Sequence, residues 1–243
     1  MIRDETSDHR AFALPGARPH YGPDKVVAVE QIDLYLKPDV ENERLEGVCT
    51  TTVRALDEEV ERLVLDAVDF DVSDVQRDGR SASYTRRNGK LEITFDPALH
   101  AGERATFAVT YRVSRPRHGL FFVKSRAAHP KRIAHVWTQS QDENARYWFP
   151  CIDYPHEKQR TTTTIVVPKG AFALGNGALV ERRDEGDSTI FRYQQDIPHS
   201  TYVMSMVAGP FVEVAQGTAG SKKTPVFYYV LPGREADGER SFG

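Results

Sequence analysis

Residues 138–160, TQSQDENARYWFPCIDYPHEKQR, bring together more reactive side chains than any other stretch of this chain, and we call them the polar segment. His156-Glu157 begins like the zinc motif H-E-x-x-H, in which two histidines one helical turn apart bind the metal and the glutamate activates a water. Arg160 stands where the second histidine belongs, and a guanidinium has no lone pair to give. Pro155 and the threonines that follow do not favour a long helix. The sequence therefore predicts a solvated surface here, with no zinc site.

Other catalytic arrangements leave no local signature. The remaining histidines, at positions 9, 20, 100, 118, 129, 135 and 199, show no i, i+2 or i, i+4 pairing that would predict a metal cluster. There is no G-x-S-x-G elbow, no P-loop and no G-x-G-x-x-G. A Ser-His-Asp set assembled from distant strands stays open, although no pattern recommends one. We therefore predict no catalytic residue and no metal ligand in this chain.

Gln139 and Gln141 alternate along an apparent strand at the start of the polar segment, so their side chains project from one face. The simplest interpretation is a polar strand edge followed by a loop. Arg146 and Asp153 would then pair and hold that loop in place. Residue chemistry alone leaves open whether these amides bind a ligand.

The composition limits the classes of protein to which this chain can belong. The chain has 243 residues, of which 28% are charged and 40% apolar, a balance typical of globular domains large enough to bury a core. A net charge of -3 gives no field that would hold nucleic acid or anionic lipid, so we expect neither as a partner. Cys49 and Cys151 lie far apart, which predicts buried free thiols. The sequence shows no secretory leader and no membrane span, so we expect a cytoplasmic location.

The elements that must position the polar segment have the pattern of strands. Apolar and polar residues alternate over residues 32–37, the period of a sheet with one wet face. Asn88-Gly89 tolerates the positive φ angles of a type I′ hairpin turn. No long stretch has a period of 3.6, so we expect at most short helical turns, and residues 124–132 should form an exposed loop. Together these patterns predict an all-β fold, a saddle-like or sandwich arrangement of curved, mainly antiparallel sheets.

The chain divides into three parts by pattern. Residues 1–24 carry three prolines without a sustained period and are predicted to form an irregular N-terminal arm. Residues 25–231 contain the strands and form the β-domain. Residues 232–243 lose all periodicity and have the composition of a connector.

A pattern of the form T-Q-x-[EQ]…A-R…F-P-C-x-D-x-P occurs inside the polar segment. It is present as Thr138 to Gln141, Ala145-Arg146, Phe149 to Cys151, Asp153 and Pro155. In these residues the chain resembles the N-terminal domain of the aminopeptidase N family of zinc metallopeptidases, the gluzincin aminopeptidases. Flanking pieces are similar in the same order, namely IDLYLKPD, Gly119 to Phe121, VVPKGAFALGNG and STYVMSMVAGPF. The resemblance covers about residues 26–230.

The resemblance implies a β-saddle domain that packs against a thermolysin-like catalytic domain. The family's zinc ligands, its G-A-M-E-N strand and its catalytic tyrosine belong to that second domain, and none of these motifs occurs in the 243 residues. Residues 232–243 would then be a truncated connector to the absent catalytic domain. We therefore expect no cofactor in this fragment, zinc in the catalytic domain, and no peptide hydrolysis by the fragment alone.

The resemblance also assigns two substrate-binding residues. In the family, the fourth position of the T-Q-x-[EQ] block reaches the active site, which implies that Gln141 binds the α-ammonium of a peptide. Gln139, at the second position, would line the same pocket. Many members carry Glu at the fourth position, and an amide gives up a charge-assisted contact that is about twice as strong. Arg146 and Asp153 are interpreted as a scaffold that keeps the strand end rigid.

Two other functions stay open at this stage. The first is a stand-alone, non-catalytic β-module that uses the same saddle for protein–protein contacts. The second, a sugar-binding β-sandwich, rests on fold class alone. For the substrate-anchoring domain, the expected partners are its own catalytic domain and the N-terminus of a peptide.

Overall fold

The computed structural model describes residues 22–242, so the predicted arm at residues 1–24 lies almost wholly outside the described range. Most of the described chain is extended, because β-branched and aromatic residues alternate with polar ones. The strands are β1 (Val27–Asp39), β2 (Arg44–Ala55), β3 (Glu59–Asp66), β4 (Asp71–Arg77), β5 (Arg80–Ser81), β6 (Tyr84–Arg87), β7 (Lys90–His100), β8 (Arg104–Ser114), β9 (Leu120–Val123), β10 (His135–Thr138), β11 (Gln159–Pro168), β12 (Phe172–Gly175), β13 (Ala178–Glu185), β14 (Ser188–His199), β15 (Met206–Gly209), β16 (Val212–Ala219) and β17 (Thr224–Val230). Short 3₁₀ turns lie at Ala145–Tyr147 and Thr201–Val203.

These strands form four sheets. The largest has eight strands in the order β13-β14-β11-β1-β2-β8-β4-β5. A four-stranded sheet has the order β12-β15-β10-β9, a three-stranded sheet the order β3-β7-β6, and β16 pairs with β17. Within residues 22–242, β1 with β11 is the one parallel pairing between strands, and the others are antiparallel. The predicted all-β class with mainly antiparallel sheets is confirmed.

One continuous core joins the eight-, four- and three-stranded sheets. Alternate residues of β1 face this core, as the period of two predicts. Phe107 of β8 stacks on Phe95 of β7 with ring centroids 4.8 Å apart, which ties the largest sheet to the three-stranded one. Tyr193 of β14 donates its hydroxyl to the carbonyl of Ala173 in β12 at 2.7 Å, which ties it to the four-stranded sheet. The four-stranded sheet, which carries the start of the polar segment, is therefore fixed to the main core.

Two local predictions are confirmed. Asn88 and Gly89 have φ angles of 52° and 72° and join β6 to β7 as a two-residue hairpin. Residues 124–132 form a loop that is exposed along nearly its whole length. Both features depend on neighbours in sequence, which is why the sequence predicts them.

Residues 232–243, where the sequence pattern predicts no regular element, contain the helix α1 at Glu235–Phe242. Packing explains the difference, because Gly238 lies so close to β17 that an added Cβ would approach Cε2 of Tyr228 to 2.6 Å. A glycine inside a helix weakens the local signal, and only the contact with β17 shows why one is needed. Among residues 22–242, no helix has the length and apolar character needed to cross a bilayer.

Candidate functional site

The polar segment begins on β10, inside the four-stranded sheet between β15 and β9. Along this stretch exposed and buried side chains alternate. Trp137, Gln139 and Gln141 are exposed, whereas Thr138 and Ser140 between them are buried. The period of two therefore continues past the last residue of β10. Gln139 and Gln141, the substrate-binding residues predicted from the sequence, are both exposed just beyond the end of β10.

Buried hydrogen bonds fix the backbone that carries the two glutamines. The Thr138 hydroxyl donates to the carbonyl of Met206 at 3.3 Å and accepts from the Met206 N–H at 2.8 Å. The Ser140 hydroxyl donates to the carbonyl of Met204 at 2.8 Å and accepts from the indole N–H of Trp148 at 3.0 Å. Because these bonds are shielded from water, they hold the strand end at two successive inward positions. The backbone of Gln139 between them, and the start of the chain that leads to Gln141, are consequently held in place.

The main chain of the glutamines is also held by its neighbours. The Gln139 N–H donates to the carbonyl of Gly119 at 2.9 Å. The side-chain amide of Asn144 donates to the carbonyl of Gln141 at 2.8 Å, and the peptide bond between Gln141 and Asp142 is cis. Within residues 22–242, the side-chain amides of both glutamines have no hydrogen-bond partner. Their donors and acceptors are therefore available to a ligand.

A buried network of charges holds the part of the polar segment that follows. Arg146 donates from Nε to Oδ2 of Asp153 at 3.1 Å, and its Nη1 lies 3.3 Å from Oδ1 of Asp66. Asp153 also accepts from the Thr201 hydroxyl at 2.8 Å, and its N–H donates to Oδ2 of Asp66 at 3.2 Å. The predicted Arg146–Asp153 pair is confirmed. The structure adds Asp66 and Thr201, which come from distant parts of the sequence.

Burial shifts the pKa values of the charged groups in this network. It raises the pKa of Asp153, and the hydrogen bonds from Arg146 and Thr201 lower that pKa by less. Burial by itself lowers the pKa of Arg146, but the carboxylates of Asp66, Asp153 and Glu143 outweigh it and bring the pKa above its ordinary value. Arg146 is therefore charged at neutral pH. The hydrogen bonds from Arg146 and Thr201 favour the charged form of the buried Asp153 carboxyl, against the effect of burial.

The cysteine of the polar segment is not a nucleophile. Cys49 and Cys151 are both free and buried, as predicted. Burial raises the pKa of Cys49 to about 12. Burial also raises the pKa of Cys151, with a further contribution from Asp153 and Asp66. Because the thiolate is the reactive form of cysteine, neither side chain is poised for catalysis.

The prediction of a solvated surface at His156-Glu157 is wrong for Glu157. Its side chain is 1% exposed and pairs with Lys25 at 2.9 Å, whereas His156 is exposed and packs its ring on Tyr154. The chain just before β1 supplies the lysine, so no neighbour in sequence signals the burial. In the part of the chain that the structure describes, no three His, Cys, Asp or Glu side chains are grouped as a metal site requires.

An aromatic pair beside the glutamines was missed by the sequence reasoning. Trp137 is 38% exposed and stacks on Phe121 of β9, with ring centroids 4.5 Å apart. It lies two positions before Gln139 and on the same face. The alternation that relates the two glutamines could have found it, since Trp137 continues the same series.

Comparison with known proteins identifies the family. Residues 20–203 match the peptidase M1 N-terminal domain, and the chain therefore belongs to that family. The T-Q-x-[EQ] block and the network around Arg146 lie inside the matched range. The resemblance stated from the sequence is confirmed.

Individual relatives are longer than this chain. Leukotriene A-4 hydrolase of Xenopus laevis is 25% identical over 191 residues, which cover 74% of this chain and 31% of that protein. Probable aminopeptidase 1 of Sulfurisphaera tokodaii is 24% identical over 223 residues, which cover 88% of this chain and 25% of that protein. An M1 zinc metallopeptidase mutant from Deinococcus radiodurans, solved with a Tyr-Ser-Ala substrate, shares the fold with a TM-score of 0.71 at 22% identity, covering 87% of this chain and 51% of that one. The chain thus spans about a quarter to a third of the curated relatives.

Proposed function

We propose that this chain is the N-terminal, non-catalytic, substrate-anchoring domain of a zinc-dependent aminopeptidase, which removes N-terminal residues from peptides. The observation that carries the proposal is the position of Gln141 and Gln139. Both are exposed and unpaired within residues 22–242, and they project from a strand end that buried bonds hold in place. The family match and the similarity to aminopeptidases support the activity of the parent protein.

The chemistry of anchoring follows from the two amides. A free α-ammonium has three N–H donors, and it leaves water only where acceptors surround it. Gln141 offers one amide oxygen, and Gln139 offers a second one at the next outward position. Neither amide is charged, so a carboxylate of the catalytic domain must balance the charge of the ammonium. This domain then orients the substrate and leaves bond breaking to its partner.

The zinc of the parent enzyme belongs to the catalytic domain in this proposal. Zinc needs three or more His, Cys, Asp or Glu ligands at one place, and residues 22–242 contain no such group. The residues that the structure describes therefore do not fit the metal. The partners of the domain are its own catalytic domain and the N-terminus of a peptide, without nucleic acid or membrane, in the cytoplasm.

The test is Gln141→Ala in the protein expressed from the whole reading frame. Loss of one hydrogen bond to a charged group lowers kcat/KM on peptides with a free N-terminus by about 10- to 100-fold. Gln141→Glu adds a charge-assisted contact and should retain or raise kcat/KM. Gln194→Ala, an exposed glutamine of β14 in a different sheet, is the matched control and should leave kcat/KM unchanged.

Two results would contradict the proposal. An unchanged kcat/KM in Gln141→Ala would remove that residue from the site. A reading frame without an H-E-x-x-H and a distal glutamate would exclude a zinc aminopeptidase, and the stand-alone module for protein–protein contacts would remain. The isolated 243-residue chain should not release N-terminal residues from peptides, with or without added zinc.

A further inference from the structure

A single apolar row crosses the open face of the four-stranded sheet. In the strand register, Leu174 pairs with Val207, Val207 pairs with Trp137, and Trp137 pairs with Phe121. Each of the four strands therefore contributes one residue. All four side chains are at least partly exposed, and Leu174 also packs against the core, so the row is most open to solvent at Trp137.

Trp137 is the most exposed member of this row. Its side chain is 38% exposed, and its ring lies nearly flat on Phe121 with an interplanar angle of 23°. An indole that is already stacked on a second ring has little conformational freedom to lose when a ligand binds. The pair therefore presents a rigid apolar surface.

The indole precedes the two glutamines in the same alternating series of exposed side chains. Residues two positions apart on one strand face are about 6.6–6.8 Å apart, so Trp137 lies about one such step before Gln139, and Gln141 follows in the turn beyond the end of β10. A group that extends from Gln141 along this face passes the Gln139 amide first and then meets the indole. We expect a short side chain to end before the indole and a long one to reach it.

We propose that Trp137 is a specificity-determining residue of the substrate site. It contacts the side chain of the substrate's N-terminal residue and favours long apolar or aromatic side chains over short ones. The inference rests on the proposed function, because it takes the α-ammonium of the peptide to lie at Gln141.

The size of the preference follows from the nature of the contact. A hydrophobic pocket discriminates between apolar side chains of different length by about 10- to 200-fold. Trp137 supplies one wall of such a pocket. Its removal should therefore reduce the preference for phenylalanine over alanine by about tenfold.

The experiment measures the ratio of kcat/KM for Phe-p-nitroanilide to that for Ala-p-nitroanilide, in the protein expressed from the whole reading frame. A ratio is independent of the amount of folded enzyme. Trp137→Ala should lower the ratio by about tenfold and leave the kcat/KM for the alanine substrate nearly unchanged. Trp137→Phe keeps an aromatic surface and should retain most of the preference.

Two outcomes of this experiment would overturn the inference. An equal loss of kcat/KM on both substrates in Trp137→Ala would mean that the indole supports the fold or contacts the catalytic domain. A ratio unchanged by Trp137→Ala, together with a lost preference for Ala-Ala-Ala-Phe over Ala-Ala-Ala-Ala, would mean that the indole contacts a later residue of the peptide.

Gln141→Ala in the same assay separates this inference from the proposed function. It should lower kcat/KM on both p-nitroanilides and leave their ratio close to that of the wild type. If Gln141→Ala lowers kcat/KM and Trp137→Ala leaves the ratio unchanged, only the inference about Trp137 fails. If Gln141→Ala has no effect, the proposed function fails and the inference fails with it.

Discussion

Different interactions stabilise the eight-stranded sheet and the polar segment. Along β8, alternate apolar side chains face the core, and their exclusion from water stabilises the strand. In the polar segment, the buried carboxylate of Asp153 is held by hydrogen bonds from Arg146 and Thr201. A strand tolerates exchange of apolar side chains of similar volume, whereas a buried charge tolerates no loss of its partners. The conformation of the polar segment therefore depends on a few particular residues.

This difference suits the proposed site. Gln139 and Gln141 lie where the ladder of the four-stranded sheet ends and the network of charges begins. The sheet fixes the direction in which the amides project, and the network fixes the irregular chain that follows. With the backbone held in place, only the freedom of the side chains is lost when the amides bind an ammonium, which lowers the entropic cost.

The largest expected effect is on the free energy of unfolding. Removing the carboxylate of the Arg–Asp pair in the polar segment should lower it more than removing the carboxylate of the Arg–Asp pair in the large sheet. Asp153→Ala removes the carboxylate that accepts hydrogen bonds from Arg146 and Thr201, while Asp66 and Glu143 remain beside Arg146. We expect it to lower the free energy of unfolding by about 1.5–3 kcal/mol, the value of hydrogen bonds to a charged group. Asp71→Ala is the matched control, because Asp71 pairs with Arg112 on the exposed face of the large sheet. This change should cost only about 0–1 kcal/mol.

Urea unfolding, followed by circular dichroism, measures both changes. Equal costs for the two variants would mean that the network around Arg146 does not stabilise the fold more than a surface pair does. A large cost for Asp153→Ala alone would support the contrast between the two regions.

The two buried thiols, one from each region, should make the fold less stable at high pH. Cys49 belongs to β2 of the large sheet, and Cys151 belongs to the polar segment. Burial raises the pKa of Cys49 to about 12, and it raises that of Cys151 too. Above about pH 8.5 the unfolded chain therefore binds fewer protons than the native protein. The free energy of unfolding should fall as pH rises, by about 1.4 kcal/mol per pH unit for each thiol.

Urea unfolding at pH 7.5 and at pH 10 measures this fall. Cys49→Ala and Cys151→Ala each remove one thiol, so each variant should lose less stability between the two pH values than the wild type. The tyrosines remain in all three proteins and cancel in the comparison. A fall of the same size in the wild type and in both variants would contradict a titration of the buried thiols.

The smallest expected effect concerns the two tryptophans, which differ in solvent exposure. Measuring this difference requires no loss of stability. Trp137 is 38% exposed on the open face, and Trp148 is 1% exposed inside the polar segment. Iodide should therefore quench the fluorescence of Trp137 and leave that of Trp148 nearly unchanged. Trp137→Phe should make the remaining emission insensitive to iodide. Emission that is still strongly quenched in that variant would place Trp148 near solvent.

Part of the fold could be predicted because its causes are local. The alternation in β1, the Asn88-Gly89 hairpin and the exposed loop at residues 124–132 depend on residues close together in sequence. The helix α1 was not predicted, because Gly238 obscures the local signal and its contact with Tyr228 comes from the tertiary fold.

The candidate site divides in the same way. The alternation of Gln139 and Gln141 and the pairing of Arg146 with Asp153 are visible in one short stretch of sequence. Asp66 could not be predicted as a member of the network, because it reaches the polar segment from β3 across a large separation in sequence. The burial of Glu157 was missed for the same reason, since its partner Lys25 precedes β1.

The order of apolar and polar residues by itself determined that this chain forms strands, where they turn and which amides share a face, because side chains alternate wherever the backbone is extended. Only the tertiary structure decided which strands became neighbours. It put Trp137 on Phe121 and aligned them with Gln139, and it brought Asp66 and Thr201 to Asp153. Contacts of this kind form between residues that are distant in sequence, so their energies depend on how the whole core packs.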